Sequence, residues 1–233
     1  MRERSAAMPP MGRSTASQAA RSRMVQRLAK QGIADARVLR AFDTVERHRF
    51  VDSAWVSQAY EDISLPIGLG QTISKPSVVA RMIELLLQAP ALMHPSGESL
   101  GRVLDIGTGC GYQAAVLACV AHEVYSIERL RVLHERARIN LRPFRLANLH
   151  LLHGDGMAGY PKGAPYAGII VAASGSSAPM AWIEQLAVGG RIVAPFGSAQ
   201  DNQALVVIDK NITGVQQCIL DAVRFVPLKS GIA

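Results

Sequence analysis

The residues best placed to do chemistry begin at RVLDIGTGCG, residues 102–111. A β-type run from Arg102 to Ile106 passes at once into Gly107-Thr108-Gly109-Cys110-Gly111. Glycines at alternate positions suit a tight strand-to-helix turn whose backbone a ligand can approach closely. A second acid, Glu128, ends the next apolar run (Val124-Tyr125-Ser126-Ile127), and a third stands in Gly154-Asp155-Gly156. In an open α/β sheet, ligands sit beyond the carboxyl ends of the strands. Three acids at successive strand ends point to S-adenosylmethionine. Glu128 can accept from ribose hydroxyls and Asp155 from an adenine amine. Asp105, with the backbone of Gly107 and Gly109, can meet the cationic methionine end. The G-x-G-x-G spacing speaks against NAD, whose fingerprint is G-x-G-x-x-G.

These acids need a scaffold, and the chain provides one. From Arg102 onward, strand and helix patterns alternate. Strands are expected at 102–106, 123–127, 149–153, 166–172 and 190–195, with helices at 111–120, 130–141 and 178–187. This alternation implies an α/β fold of Rossmann type, with a mostly parallel, doubly wound sheet. Ala204–Asp209 and Val215–Val223, joined by turn residues Asn211–Gly214, should form an antiparallel hairpin at the sheet edge. An N-terminal helical appendage precedes this core. Its first helix is expected over Ser22–Gln31. Asp35 should cap a second, and a third should start at Pro76 and run through Leu87. Tyr60–Ser74, with Pro66, Gly68 and Gly70, reads as loop, and 89–101 as a connector. The expected organisation is a disordered basic leader, 1–21, and one domain, 22–233, with helices and a loop over 22–100 and the core over 101–233.

The net charge of +7 suggests nucleic acid until it is located. Residues 1–30 hold seven bases and one acid, whereas the remainder carries 18 bases and 17 acids. The basicity lies in the leader, so no nucleic-acid partner is expected. The leader lacks the apolar core of a secretory signal. Its Arg- and Ser-rich composition leaves a transit peptide or a solvated extension open. Its removal, by a start near Ser22, should leave activity intact. The chain has no apolar run of membrane-spanning length. Three irregularly spaced cysteines (Cys110, Cys119 and Cys218) make neither a disulfide frame nor a metal site, so a reducing cytoplasm is expected.

Eight segments together carry a family resemblance: HRFV (48–51), AYEDISLPIG (59–68), GQTISKP (70–76), VLDIGTGCGYQAAVLA (103–118), SIER (126–129), HGDG (153–156), QLAVGGRIVAP (185–195) and VRFVPL (223–228). In these, and in their order along about 210 residues, the chain resembles protein-L-isoaspartate O-methyltransferases. The resemblance implies methylation of the α-carboxylate of L-isoaspartyl residues in damaged proteins and peptides. The ester then converts through a succinimide to aspartate. It also implies a cofactor site of Gln71, Thr72, Asp105, Gly107, Thr108, Gly109, Cys110, Gly111, Glu128, Arg129, Asp155 and Gly156. The substrate site would be Thr72, Ile73, Ser74, Val171 and Ala172, with Ser74 orienting the reacting carboxylate. No metal is implied, and a monomer is expected.

The chemistry is consistent with those residue types. A carboxylate is already ionised at neutral pH, so no general base is needed. His48 and His153 therefore read as structural, and Ser74 reads equally well as a helix cap before Pro76. Cys110 is a small filler or an acidified thiol. Val171 is either a substrate wall or core. Ala167, and Ser174-Gly175-Ser176-Ser177 in place of a Pro-rich turn, depart from the family pattern and suggest a more flexible substrate entrance. Two readings remain beside the first: a carboxyl methyltransferase with another acceptor, and a relative that binds without turnover.

Overall fold

The computed structural model describes residues 15–89, 99–197 and 202–233. Most of the expected leader (1–14) and most of the expected connector (90–98) lie outside the described residues. Seven strands form one sheet in the order β5-β4-β3-β6-β7-β8-β9. These are β3 (Leu100–Ile106), β4 (Ala121–Glu128), β5 (Leu149–His153), β6 (Tyr166–Val171), β7 (Leu186–Phe196), β8 (Gln203–Asn211) and β9 (Gly214–Val223). From β5 to β7 neighbouring strands run parallel, and β7, β8 and β9 pair antiparallel, with Asn211 opposite Gly214 at the edge turn. Consecutive buried residues serve opposite faces, as the two-residue strand period requires. Val103, Ile170 and Val193 join one apolar cluster, while Leu104, Ile169 and Ile192 join another with Tyr166 and Trp182.

The helices cover both faces. α4 (Tyr112–Ala118) and α5 (Arg131–Leu141) pack on β4 and β5, α3 (Pro76–Leu87) on β6 and β7, and α6 (Met180–Gln185) on β7. The chain runs outward from β3 to β5, then returns to place β6 on the other side of β3. This switch point, between the carboxyl ends of β4 and β6, is where such sheets open a ligand crevice.

The N-terminal appendage differs from expectation in two places. α1 spans Thr15–Lys30, so helix replaces the expected disorder over 15–21. The Ala-rich start favours helix, and Ala20 and Arg21 extend the face that buries Met24 and Leu28. Arg21 is buried, 3.6 Å from both Asp43 and Glu46. The expectation that a start near Ser22 leaves activity intact does not extend to stability, because such a chain gives up the Arg21 contacts. That chain should lose about 2 kcal/mol, roughly 5 °C in Tm. Thermal unfolding against a chain starting at Gly12 would measure it, and equal Tm values would show that the Arg21 contacts contribute nothing.

The second difference lies in Tyr60–Ser74. Within that expected loop, β1 (Leu65–Gly68) and β2 (Gln71–Ile73) pair as an antiparallel hairpin. Pro66 is tolerated because a two-stranded ribbon leaves half its backbone groups unpaired. Leu69 and Gly70 both adopt positive φ, 54° and 70°, as a two-residue hairpin turn needs. α2 (Ala36–Thr44) starts as expected, with Asp35 accepting from the Arg37 N–H at 2.8 Å.

Candidate active site

The glycine loop, the carboxyl ends of β3, β4 and β6, and the β1–β2 hairpin enclose one cleft of ≈ 360 Å³. That volume lies within the range of small-molecule sites. Gln71, Thr72, Ile73 and Ser74 line it from the hairpin side, and Gly107, Thr108, Gly109 and Cys110 from the loop. Glu128, Arg129, Gly156 and Ala172 complete the expected residues at its wall.

Glu128 is buried at the end of β4, with each oxygen fixed by backbone. Oε2 accepts the Gly109 N–H at 2.8 Å, and Oε1 accepts the Leu130 N–H at 2.9 Å. One carboxylate thus holds the glycine loop and the entry to α5 while keeping lone pairs for the cleft. Gly107 and Gly109 bare their backbone there. A Cβ on either would meet Ala172 Cβ at 3.4 Å or Ile67 Cδ1 at 3.2 Å. Their φ angles, 95° and 55°, are the left-handed ones glycine adopts freely.

Four expected site residues stand behind the wall. Asp105 is fully buried, accepting from Gln113 Nε2 at 2.7 Å and Ser126 Oγ at 2.6 Å. Its place is in the support of the loop, since the short β3–α4 turn carries Gln113 back over it. Gly111 begins α4 at φ 96°, and a Cβ there would strike Leu141 Cδ1 at 2.8 Å. It lets α4 and α5 approach. Val171, the last residue of β6, is fully buried in the cluster with Trp182, and Ala172 and Ala173, just past the strand, line the cleft. Asp155 caps a short turn by accepting from Met157 N–H at 2.9 Å, and its other oxygen accepts Gly231 N–H at 2.7 Å.

The capping role expected of Ser74 belongs elsewhere. The Ser77 N–H in the first turn of α3 donates to Asp62 Oδ1 at 2.9 Å, and Ser74 lines the cleft. Cys110 is buried, and burial pushes its thiol up, so the acidified-thiol alternative fails. His48 Nδ1 lies 2.7 Å from the Tyr60 hydroxyl, and His153 Nε2 lies 3.2 Å from the Arg129 carbonyl. Ser174 and Gly175, at the start of the segment expected to be flexible, are held by hydrogen bonds. Ser174 N–H donates to Val226 O at 2.8 Å, its hydroxyl to Gly197 O at 2.9 Å, and Gly175 O accepts from Gly197 N–H. The bound segment, Val226–Lys229, is itself a cleft wall. Sequence reasoning assigned it no role, although VRFVPL was among the segments carrying the resemblance.

Asp105 gives the site a pH signature. Desolvation drives its carboxyl up to about 6, against the opposing pull of Ser126 and Gln113. A pKa raised on folding contributes stability that is complete below the unfolded value, 3.8, and lost as pH rises through about 6. Above that, ionisation costs about 3 kcal/mol. Asp105→Asn removes the titration. The variant should therefore gain about 3 kcal/mol relative to the parent between pH 4 and 7. Urea unfolding across that range reads it, and a constant difference would show that Asp105 does not titrate there.

Among the described residues, no His, Cys, Asp and Glu cluster could hold a metal, and no helix is long and apolar enough to cross a membrane. The family model described as protein-L-isoaspartate(D-aspartate) O-methyltransferase matches residues 19–233. The protein-L-isoaspartate O-methyltransferase of Methylibium petroleiphilum is 55% identical over 231 residues, covering 98% of this chain and 84% of that one. That of Leptothrix cholodnii is 58% identical over 213 residues, covering 91% and 74%. A solved protein-L-isoaspartate O-methyltransferase superposes with a TM-score of 0.79 at 29% identity, covering 91% of this chain and 67% of its own. The fold also matches a Plasmodium falciparum structure in complex with S-adenosyl-L-homocysteine, with a TM-score of 0.75 at 24% identity, covering 90% and 98%. With its cleft closed by the hairpin that carries GQTIS and by the loop that carries DIGTGCG, the chain belongs to the protein-L-isoaspartate O-methyltransferase family.

Proposed function

We propose that the cleft binds S-adenosylmethionine along the glycine loop and holds an L-isoaspartyl carboxylate against it with the β1–β2 hairpin. The observation that carries this reading is the placing of Gln71–Ser74 and Glu128 on one cleft. The wall fits such a cofactor. Glu128 offers a fixed carboxylate for a ribose diol, and Gly107 and Gly109 leave room for a ligand against the backbone. When bound, the cofactor supplies an electrophilic methyl on a cationic sulfur. The chain then has three tasks: to align the acceptor, to exclude water and to leave the carboxylate unprotonated.

Ser74 sits on the hairpin side of the cleft, where its hydroxyl can donate to one carboxylate oxygen and turn the other toward the methyl. Ile73, buried beside it, anchors the end of β2. Thr72, exposed, and Gln71 offer backbone and side-chain groups to a peptide. Ala172 and Ala173 keep the opposite wall low. Ser74→Ala should lower kcat about 30-fold, the loss of one hydrogen bond to a charged group, with cofactor affinity unchanged. Full turnover in that variant would remove Ser74 from the mechanism.

The ester product leaves and converts through a succinimide to aspartate, which makes the enzyme a repair catalyst. The protein acts in this reading as a cytoplasmic monomer, without nucleic acid. The deciding assay offers labelled S-adenosylmethionine with two peptides differing only in an isoaspartyl or normal aspartyl linkage. Base-labile label on the isoaspartyl peptide alone is the expected result. Label on neither peptide, with the cofactor product still bound, would favour another acceptor or a binding-only relative.

A further inference from the structure

The hairpin that would hold the acceptor is only nine residues of chain, Leu65–Ile73, and its two strands pair only with each other. Something outside the main sheet must fix its distance from the glycine loop. Ile67 does part of this, its side chain resting over Gly109. The directional part comes from α5. Arg136 Nη1 donates to the Ile67 carbonyl of β1 at 2.9 Å, and Nη2 pairs with Asp52 Oδ1 at 2.5 Å. Two turns of the same helix hold the cofactor side. Asn140 Nδ2 donates to the Cys110 carbonyl at 3.0 Å, and Leu130, just before α5, is bound by Glu128. Positions 133, 136, 137 and 140 share one face of a helix, so Leu133 at the cleft, Arg136 at the hairpin and Asn140 at the loop belong to one rigid edge.

We propose that Arg136 is a positioning residue: it ties the hairpin to the helix that carries the cofactor wall, and so sets the gap between acceptor and methyl. The idea rests on the functional reading above. A guanidinium suits the task, because its planar fork can serve a carbonyl and a carboxylate at once. Its charge is half-shielded at the protein surface, so the bonds are directional anchors more than sources of stability.

The test compares Arg136→Ala and Arg136→Lys with the parent in three measurements. The first is S-adenosylhomocysteine affinity, the second is kcat and KM for an isoaspartyl peptide, and the third is amide exchange of residues 65–73 without ligand. Arg136→Ala should keep cofactor affinity within about twofold, raise peptide KM and lower kcat by about tenfold in kcat/KM combined, and speed exchange in the hairpin. Arg136→Lys keeps one of the two bonds and should recover part of both effects. Unchanged hairpin exchange in Arg136→Ala, or unchanged kinetics, would overturn the proposal. So would a fall in cofactor affinity that accounts for the whole loss of kcat/KM, since that would place Arg136 in cofactor binding. The exchange measurement needs no acceptor. If the parent methylated no isoaspartyl peptide, the functional reading would fail, and unchanged exchange in Arg136→Ala would separately sink the tether.

Discussion

Glu128→Gln is expected to weaken S-adenosylhomocysteine binding about 100-fold or more. The carboxylate accepts from two backbone N–H groups, Gly109 and Leu130, and is the one buried acid facing the cleft from β4. An amide keeps one acceptor oxygen and turns an NH2 toward a donor that must then go unpaired. The charge-assisted bonds that the proposed site would make to two ribose hydroxyls would weaken at the same time. Together these changes cost about 3 kcal/mol, which is the factor stated. The glycine loop should also loosen, because Gly109 loses its anchor. Titration calorimetry with S-adenosylhomocysteine gives the answer directly. An affinity within threefold of the parent would mean that the ribose is recognised elsewhere.

Glu84→Ala carries the largest expected effect on stability. Glu84 lies on α3 and is almost wholly buried, yet it serves a segment 50 residues earlier. Its Oε1 accepts the Ala34 N–H at 2.7 Å and the Asp35 N–H at 2.9 Å, while Arg81 approaches Oε2 at 3.4 Å. These two donors sit at the entry to α2, where Asp35 already caps the helix from within. Removing the carboxylate strands both donors beside a buried cavity. The expected loss is about 4 kcal/mol, roughly 10 °C in Tm. Glu84→Gln retains an acceptor at Oε1 and should lose about half as much. If the alanine variant melted within about 2 °C of the parent, water would be replacing the carboxylate at no cost.

The difference between Glu84 and Glu128 marks what can be read without coordinates. Glu128 was legible because a strand pattern ends on it and the neighbouring glycines announce a ligand. Glu84 sits in ELLL as an ordinary helical residue, and no local pattern reveals a partner across 50 positions. The central core was legible for the same local reason: β3, β6 and β8 each show as an apolar run between turn residues. The β1–β2 hairpin was not, since Pro66, Gly68 and Gly70 are residues of turns as well as of short ribbons. Val171 and Ala172 are adjacent in sequence but face opposite ways, and strand-end phase alone cannot say which one meets the cleft. Asp105 and Gly111 were drawn to the site by residue type, and the structure shows each engaged in support of the loop, since support for a loop and contact with a ligand call for the same residue types. The α1 start was hidden by composition, as arginine, serine and alanine are shared by solvated tails and by helix surfaces.

The cleft wall gathers residues from Ile67 to Lys229, with pieces taken from the hairpin, β3, β4, the turn after β5, β6 and the segment that pairs with Ser174. On a ribosome these pieces emerge one after another, and domains generally settle as units while synthesis proceeds. The glycine loop and Glu128 leave the exit tunnel about a hundred residues before the segment that closes the cleft. A nascent chain therefore carries a half-built pocket until Val226–Lys229 follows and supplies the missing wall.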